Sequence, residues 1–457
     1  MEPIPSPPRT PLLGHLPLIF GDSVIQAVMN IVAEHGPIVH LSLKHELVVL
    51  SSAELVAEVL SHPHDKCISA PLEELRAVVG DALFTAHTDE PNWGRAHEIL
   101  VPAFRRQSMA LYYEAMLEMA EAMLTSWDSL PDGARIDVPE QMTRLTFDTI
   151  GLCGFGYRFD SFGRADAHPF VGSMTRARTE ALYRVQVPRP LRKLRFRANR
   201  GFAEDQRTMN DTVDALIRQR RAGGETTGTD LLDRMLTEST KDGERLDDVN
   251  IRNQILTFLI AGHETTSGAL SFALHYLLQD PELLARTVAE VDFVLGDVER
   301  PSWEQVKQLK LVGRVLKEGL RLWPTAPAFS VELDEDTVIA GRWLIPAKRQ
   351  VLLLLPALHR DPDAWEEPER FDPDRFLRER ERKRPPHAYK PFGHGQRACI
   401  GAQFATLEAT LVLGLVLRRY RLEPDPDYEL SVHETLTVKP RDLFVRLHRR
   451  DAPEASP

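Results

Sequence analysis

The chain has 457 residues, 43% of them hydrophobic and 27% charged, with a formal net charge of -11. That balance excludes a general nucleic-acid binder, whose surface must be basic, and is ordinary for a globular protein with a large core. The three cysteines, Cys67, Cys153 and Cys399, lie far apart in sequence. They exclude a disulfide framework and a closely spaced zinc set, and fit a reducing, cytoplasmic compartment.

The N-terminus, "MEPIPSPPRTPLLGHLPLIF", lacks the charged head and apolar run of a signal peptide. Its apolar stretch falls far below the ~18 residues of a membrane span, so a packed N-terminal arm and no membrane span are expected. "SVIQAVMNIVAEHG" places Val24, Val28, Ile31 and Val32 on one stripe and predicts a helix that Gly36 stops. "IVHLSL" and "LVVL" around "KHE" read as a β-hairpin. Helical spacing resumes in "PNWGRAHEILVPAF", "MALYYEAMLEMAEAMLTSW" and "EQMTRLTFDTIGLCGF".

A polar, arginine-rich section follows from Arg176 to Arg245, and its "RQRRAGGETTGTD" is expected to be an exposed loop between helices. A very long helix is predicted from Asp247 to Asp280, where Pro281 ends it. At ~1.5 Å per residue it would be on the order of 50 Å long. Helices are predicted near Pro281–Leu295 and Trp303–Leu322, then strands in "TVIAG" and "QVLLLLP". The proline- and charge-rich stretch from Asp361 to Lys390 should be irregular. The last helix is "IGAQFATLEATLVLGLVLRRY". No repeat and no long linker divides the chain, which reads as one domain over 1–457, mainly α with a small β part.

Two stretches carry chemistry. The first is "PFGHGQRACIG", Pro391 to Gly401. Cys153 lies in an apolar pattern and reads as inert, whereas Cys399 lies in a glycine-rich loop directly before a helix. Glycines let backbone N–H groups approach what the sulfur binds, and a helix N-terminus favours thiolate over thiol. No second ligand stands at zinc spacing. Two readings stay open: a turn that happens to hold a cysteine, or a single thiolate ligand to a metal whose in-plane ligands come from a macrocycle.

The second stretch is "ILTFLIAGHETTSGAL". Ile255 to Ile260 is apolar almost all round and should be buried, yet Gly262, Glu264, Thr265 and Thr266 interrupt it. Glycine in a helix interior costs ~1 kcal/mol, and a buried carboxylate costs more unless paired or protonated. A polar kink, with Thr265 bonding back to Ala261, is one account. A zinc protease is excluded, because Ser267 stands where H-E-x-x-H needs its second histidine. An oxygen-activating site is the third account.

"FGHGQRACIG" resembles the haem-ligand signature of the cytochrome P-450 family, F-x-x-G-x-R-x-C-x-G, and "AGHETTS" is similar to the family's distal-helix motif. The resemblance implies haem b, an iron protoporphyrin IX, held between the long distal helix and the helix after the cysteine loop. It makes Cys399 the iron ligand, Arg397 a partner of a propionate and Phe392 a packing residue beside the thiolate. It assigns Thr265 to oxygen handling and Glu264 to the proton relay, with Gly262 permitting a groove. "NWGRAH" resembles the propionate-binding W-x-x-x-R, with Trp93 in place and His97 where arginine is usual. "KEGLR" resembles the E-x-x-R pair, Glu318 and Arg321, completed by Arg375 of "FDPDRF" rather than Arg370. Phe84, Ala261, Ala326 and Ala328 are implied as substrate contacts.

The resemblance runs end to end and is closest to the haem domain of bacterial fatty-acid hydroxylases fused to a reductase. No fused reductase is expected here. The arginine–tyrosine pair that binds a fatty-acid carboxylate in that subfamily is replaced by His45 and Val49. The implied activity is a monooxygenase. It inserts one oxygen atom of O2 into a lipophilic substrate (a terpenoid, polyketide or fatty acyl chain) and reduces the other to water. The alternatives are a peroxygenase or isomerase that needs no reductase, and a non-catalytic haem carrier or gas sensor. Electrons would come from an external ferredoxin or flavodoxin with its reductase, docked on the basic run "RFLRERERKR", Arg375 to Arg384. A monomer is expected. The "HRD" at His359–Asp361 is not a kinase loop, because its other motifs are missing.

Overall fold

Asp248–Leu278 forms one unbroken helix of 31 residues. Its cap is Asp247, whose carboxylate accepts the Asn250 N–H at 2.7 Å. Asp280 and Pro281 open the next helix, Pro281–Leu295. Ile255 to Ile260 are all buried, as a segment apolar on every side must be. Among the helices that pack on this long one are Val138–Phe155, Lys310–Leu322, Phe196–Ala222 and Ala402–Arg419. The structure, a computed structural model, describes residues 1–450 except 44, 165–167, 188 and 224–229. Among the described residues, no helix is long and apolar enough to cross a membrane.

The β part is a five-stranded sheet with smaller sheets around it. The expected hairpin forms, Ile38–Ser42 against Glu46–Leu50, with Val39 opposite Val49. Gln350–Leu354 joins it in parallel, and Ala328–Leu333 and His64–Cys67 follow antiparallel. The parallel pairing joins strands some 300 residues apart, and no local pattern announces it.

Several boundaries differ from expectation. "RQRRA" is no loop: it is the last turn of a helix over Phe196–Ala222. Phe202, Met209, Val213 and Ile217 form its buried stripe, diluted among arginines. The rest of the expected loop, 224–229, lies outside the described residues. Trp303–Leu322 is two helices, Trp303–Val306 and Lys310–Leu322. The first is opened by a Ser302–Gln305 capping box at its N-terminus. "PNWGRAHEILVPAF" leaves the α-helix at Leu100, and Val101–Phe104 with Pro102 continues as a 3-10 turn.

The last helix, Ala402–Arg419, meets Val138–Phe155 through a buried carboxyl. Glu408 is 1% exposed, and burial pushes its pKa from the ordinary 4.5 up to about 8. Thr149 donates its hydroxyl proton to the Leu145 carbonyl at 2.9 Å. Thr149 also reaches the Glu408 carboxyl, and that contact opposes the effect of burial without overcoming it. A raised carboxyl pKa means that the folded state binds the extra proton. The stabilisation is complete below pH 4.5 and is lost as pH rises towards about 8, by roughly 1.4 kcal/mol per pH unit. Glu408→Gln should therefore flatten the fall in melting temperature between those limits. Parallel melting profiles for the two proteins would contradict this.

Candidate functional site

The cysteine loop reverses direction at Gly393 and Gly395, with φ of +76° and +64°, in the left-handed region that favours glycine. A single 3-10 turn, Gly395–Arg397, follows. The Cys399 N–H then donates to the Phe392 carbonyl at 2.8 Å and closes the loop. Cys399 stands two residues before Gly401, the cap of the Ala402–Arg419 helix. A methyl group placed on Gly401 would lie 3.8 Å from Sγ, so the sulfur sits beside the positive end of that helix. Cys399 is exposed and forms no disulfide. Cys153, in contrast, is buried, its thiol on the Tyr112 carbonyl at 3.6 Å, and burial holds its pKa far above the usual range. Burial likewise pushes Cys67 to about 12. Of the three thiols, Cys399 has the setting that favours a thiolate ligand.

Next to the sulfur, three predicted residues form one stack. Trp93 and His97 lie one turn apart on Pro91–Leu100, with ring centroids 4.8 Å apart. The Arg397 guanidinium covers the Trp93 ring at 4.7 Å. One Arg397 nitrogen donates to the Ala86 carbonyl at 2.8 Å, whereas Nη1 is buried without a hydrogen-bond partner. Burial lowers the Arg397 pKa to about 10. A buried cation with an unused donor calls for an anion. A carboxylate of haem supplies one, so these residues fit that group. Burial also lowers the His97 pKa, so His97 can meet such an anion with a neutral N–H.

The segment leading into the loop is pinned by Arg321. Its five donors reach five acceptors: both Glu318 oxygens at 2.7 and 2.8 Å, and the carbonyls of His359, Pro368 and Arg370 at 2.7–3.0 Å. Both side chains are fully buried. Arg375 adds a contact to Glu318 at 3.3 Å, whereas Arg370 pairs with Glu367 on the surface. The fully buried His359 is held neutral near pKa 3, chiefly by burial. Its Nε2 accepts the Lys390 N–H at 2.8 Å, so its Nδ1 carries the proton offered to the Arg321 carbonyl at 3.2 Å.

On the long helix, Ala261, Gly262 and Thr265 are partly open between buried neighbours. The Thr265 hydroxyl donates to the Ala261 carbonyl at 2.9 Å, one turn back. Gly262 does something other than expected: a methyl group there would lie 3.3 Å from Ile150. The glycine lets the Val138–Phe155 helix approach closely. Glu264 is 3% exposed. Its carboxylate contacts Arg178 on the Pro169–Gln186 helix, accepts from the Thr437 hydroxyl at 3.1 Å, and lies 4.0 Å from His263. Thr265 and Glu264 thus have different partners. Of the expected substrate residues, Phe84 is half-buried beside the main core, Ala326 is exposed, and Ala328 opens a strand, half-buried. His45 is exposed and Val49 is in the core, so neither supplies a pair at a channel mouth.

Arg178, Thr437 and Lys439 were missed from the sequence. For Arg178 a signal exists. Met174, Ala177 and Ala181 mark the buried stripe of its helix, and Arg178 falls within it. Thr437 and Lys439 arrive from a distant hairpin, Ser431–Glu434 paired with Val438–Arg441, with no such signal.

The chain belongs to the cytochrome P450 family, whose model matches residues 4–445. Members of this family bind haem b. The chain is 48% identical over 453 residues to "Bifunctional cytochrome P450/NADPH--P450 reductase 1" of Bacillus subtilis (98% of this chain, 42% of that one). It is 48% identical over 449 residues to the bifunctional protein of Bacillus cereus (97% and 42%). It is 40% identical over 454 residues to "Self-sufficient cytochrome P450 monooxygenase CYP505E3" of Phanerodontia chrysosporium (98% and 43%). The chain spans less than half the length of these relatives.

Proposed function

We propose that the chain is a single haem-thiolate domain that inserts one oxygen atom of O2 into a lipophilic substrate. The observation that carries this reading is the exposed Cys399 at a helix N-terminus together with the buried Arg397 Nη1, two residues before it, which has no hydrogen-bond partner. In this reading Cys399 is the iron ligand, and Arg397, Trp93 and His97 hold a propionate. Phe392 fixes the cysteine backbone through its carbonyl. Bound haem supplies the redox-active iron at which O2 is activated.

The remaining roles belong to the chain. Thr265 holds a proton at Oγ1, donated to Ala261 at rest and free to turn towards the open face. Glu264 is a buried carboxylate behind it that would relay a proton, tied to Arg178 and Thr437 until that contact loosens. Phe84, Ala261, Ala326 and Ala328 supply apolar walls that exclude water from the substrate. The printed names of the relatives, a P450/reductase and a self-sufficient monooxygenase, support the reaction class.

For this chain we assign electron supply to a separate ferredoxin or flavodoxin. The basic run is smaller than its sequence suggests. Arg375 is buried, Arg380 pairs with Asp372, and Arg384 lies over the Trp365 ring at 4.1 Å. Arg378, Arg382 and Lys383 remain exposed as the docking cations.

Thr265→Ala should reduce product formed per electron consumed by roughly a hundredfold, the lower end of the scale of a lost proton donor. Substrate binding should be unaffected, and turnover should require a reductase system rather than peroxide alone. Unchanged coupling would contradict the role. Reversing charge at Arg382 and Lys383 should slow reduction by an acidic partner and weaken its salt dependence. Unchanged rates would move docking elsewhere.

A further inference from the structure

The loop that carries Phe84 is fastened on both sides of that residue. One residue before it, the Leu83 N–H donates to the side-chain carbonyl of Gln254 at 3.1 Å. Two residues after it, the Ala86 carbonyl accepts from Arg397 at 2.8 Å. Gln254 belongs to the long helix and Arg397 to the cysteine loop. Four residues of chain span at most ~13–14 Å, so 83–86 form a short bridge between those two elements, with Phe84 on it. Thr85 is tied down as well: its carbonyl accepts from Arg76 at 3.2 Å and its hydroxyl donates to the Gly80 carbonyl at 2.7 Å. With Thr85 and Ala86 held, the bond from Leu83 to Gln254 decides how the chain enters Phe84.

Gln254 is fully buried, where each polar atom of an amide needs a partner. Its orientation is dictated from a distance. Asp81 accepts from Asn92 at 2.6 Å, from Asn253 at 2.9 Å and from Asn250 at 3.0 Å. Burial alone would raise the Asp81 pKa, but these donors outweigh it and hold the group below its ordinary value, as a carboxylate. A carboxylate only accepts, so Asn250 turns its nitrogen to Asp81 and its oxygen the other way. That oxygen takes the Gln254 nitrogen at 3.0 Å. The Gln254 oxygen is then left for the Leu83 N–H.

We propose that Gln254 is a positioning residue for Phe84: its carbonyl, aimed by Asp81 through Asn250, holds Leu83 and so fixes the Phe84 ring as a limit on the width of the ligand beside the long helix. Gln254, Ala261 and Thr265 are spaced by seven and four residues and share one helix face. The bridge is thereby held on the face that opens at Ala261 and Thr265. Gln254 itself lies ~10 Å along the axis from Ala261 and acts through the loop alone. This inference rests on the preceding reading, which places Phe84 and Ala261 against the substrate.

The probes are imidazole and 4-phenylimidazole, which bind haem iron through the same kind of ring nitrogen and differ by one aromatic ring. Both dissociation constants are read from the absorbance of the full, haem-loaded chain, and their ratio reports the width beside Phe84. Phe84→Ala should move the ratio in favour of 4-phenylimidazole. Gln254→Met keeps the volume and removes the acceptor. It should move the ratio the same way by roughly two- to tenfold, the range of one lost hydrogen bond, and leave imidazole itself unchanged. Asn250→Ala, which frees the amide to turn, should act in the same direction and decides the question if Gln254→Met does not load haem. Gln254→Glu keeps an acceptor for Leu83 and should keep the wild-type ratio. Combined with Phe84→Ala, Gln254→Met should add nothing. An unchanged ratio in Gln254→Met and Asn250→Ala, or an equal shift with and without the Phe84 ring, would overturn the proposal. No effect of Phe84→Ala would instead overturn the reading that puts Phe84 against the ligand. Imidazole would still shift the spectrum in each case, which separates these failures from failure of the haem-thiolate assignment.

Discussion

A single side chain can hold a metal centre only if its backbone does not move. In this protein that rigidity comes from the buried Arg321 guanidinium. Glu318 neutralises it and three carbonyls from the irregular segment saturate it. His359 extends the clasp by binding the Arg321 carbonyl on one side and the Lys390 N–H on the other. From Lys390 the chain runs into Phe392, whose carbonyl takes the Cys399 N–H. Removing one member of a buried ion pair costs ~3–5 kcal/mol because the other stays charged and unsatisfied. The sulfur is positioned by that penalty, although Arg321 never approaches it in sequence.

The opposite wall follows the same logic with a different outcome. The long helix is buried on nearly every side, so each polar group in it must find a partner. Thr265 finds its own backbone, and Glu264 finds Thr437 and Arg178. The first two contacts are well formed. The third is an ion pair, and in the cysteine loop Arg397 keeps one buried donor without a hydrogen-bond partner. Arg321, which holds the loop, is saturated, whereas Arg397 is not.

Much of this was legible in sequence because its signals are local. The length of the long helix follows from Asp247, an uninterrupted apolar run and Pro281. The cysteine loop is a dense motif whose glycines have backbone reasons. The cluster of Trp93, His97 and Arg397 was legible only through family resemblance, since some 300 residues separate its halves. The five-stranded sheet and the contacts of Glu264 were not legible, because they depend on pairings between remote segments. The Phe196–Ala222 helix hid behind its arginines: its core stripe is narrow, and solvent-facing charge dominates the composition. Gly262 was legible as unusual but not in its cause, because its neighbour Ile150 lies on another helix.

The claim at the centre is that Cys399 coordinates iron as a thiolate. The direct measurement is the absorbance difference spectrum of the reduced, carbon-monoxide-treated protein, for the wild type and for Cys399→Ser. The account predicts the red-shifted Soret band of thiolate ligation in the wild type and its loss in the variant. A wild type without that band, or a variant that keeps it, would contradict the account.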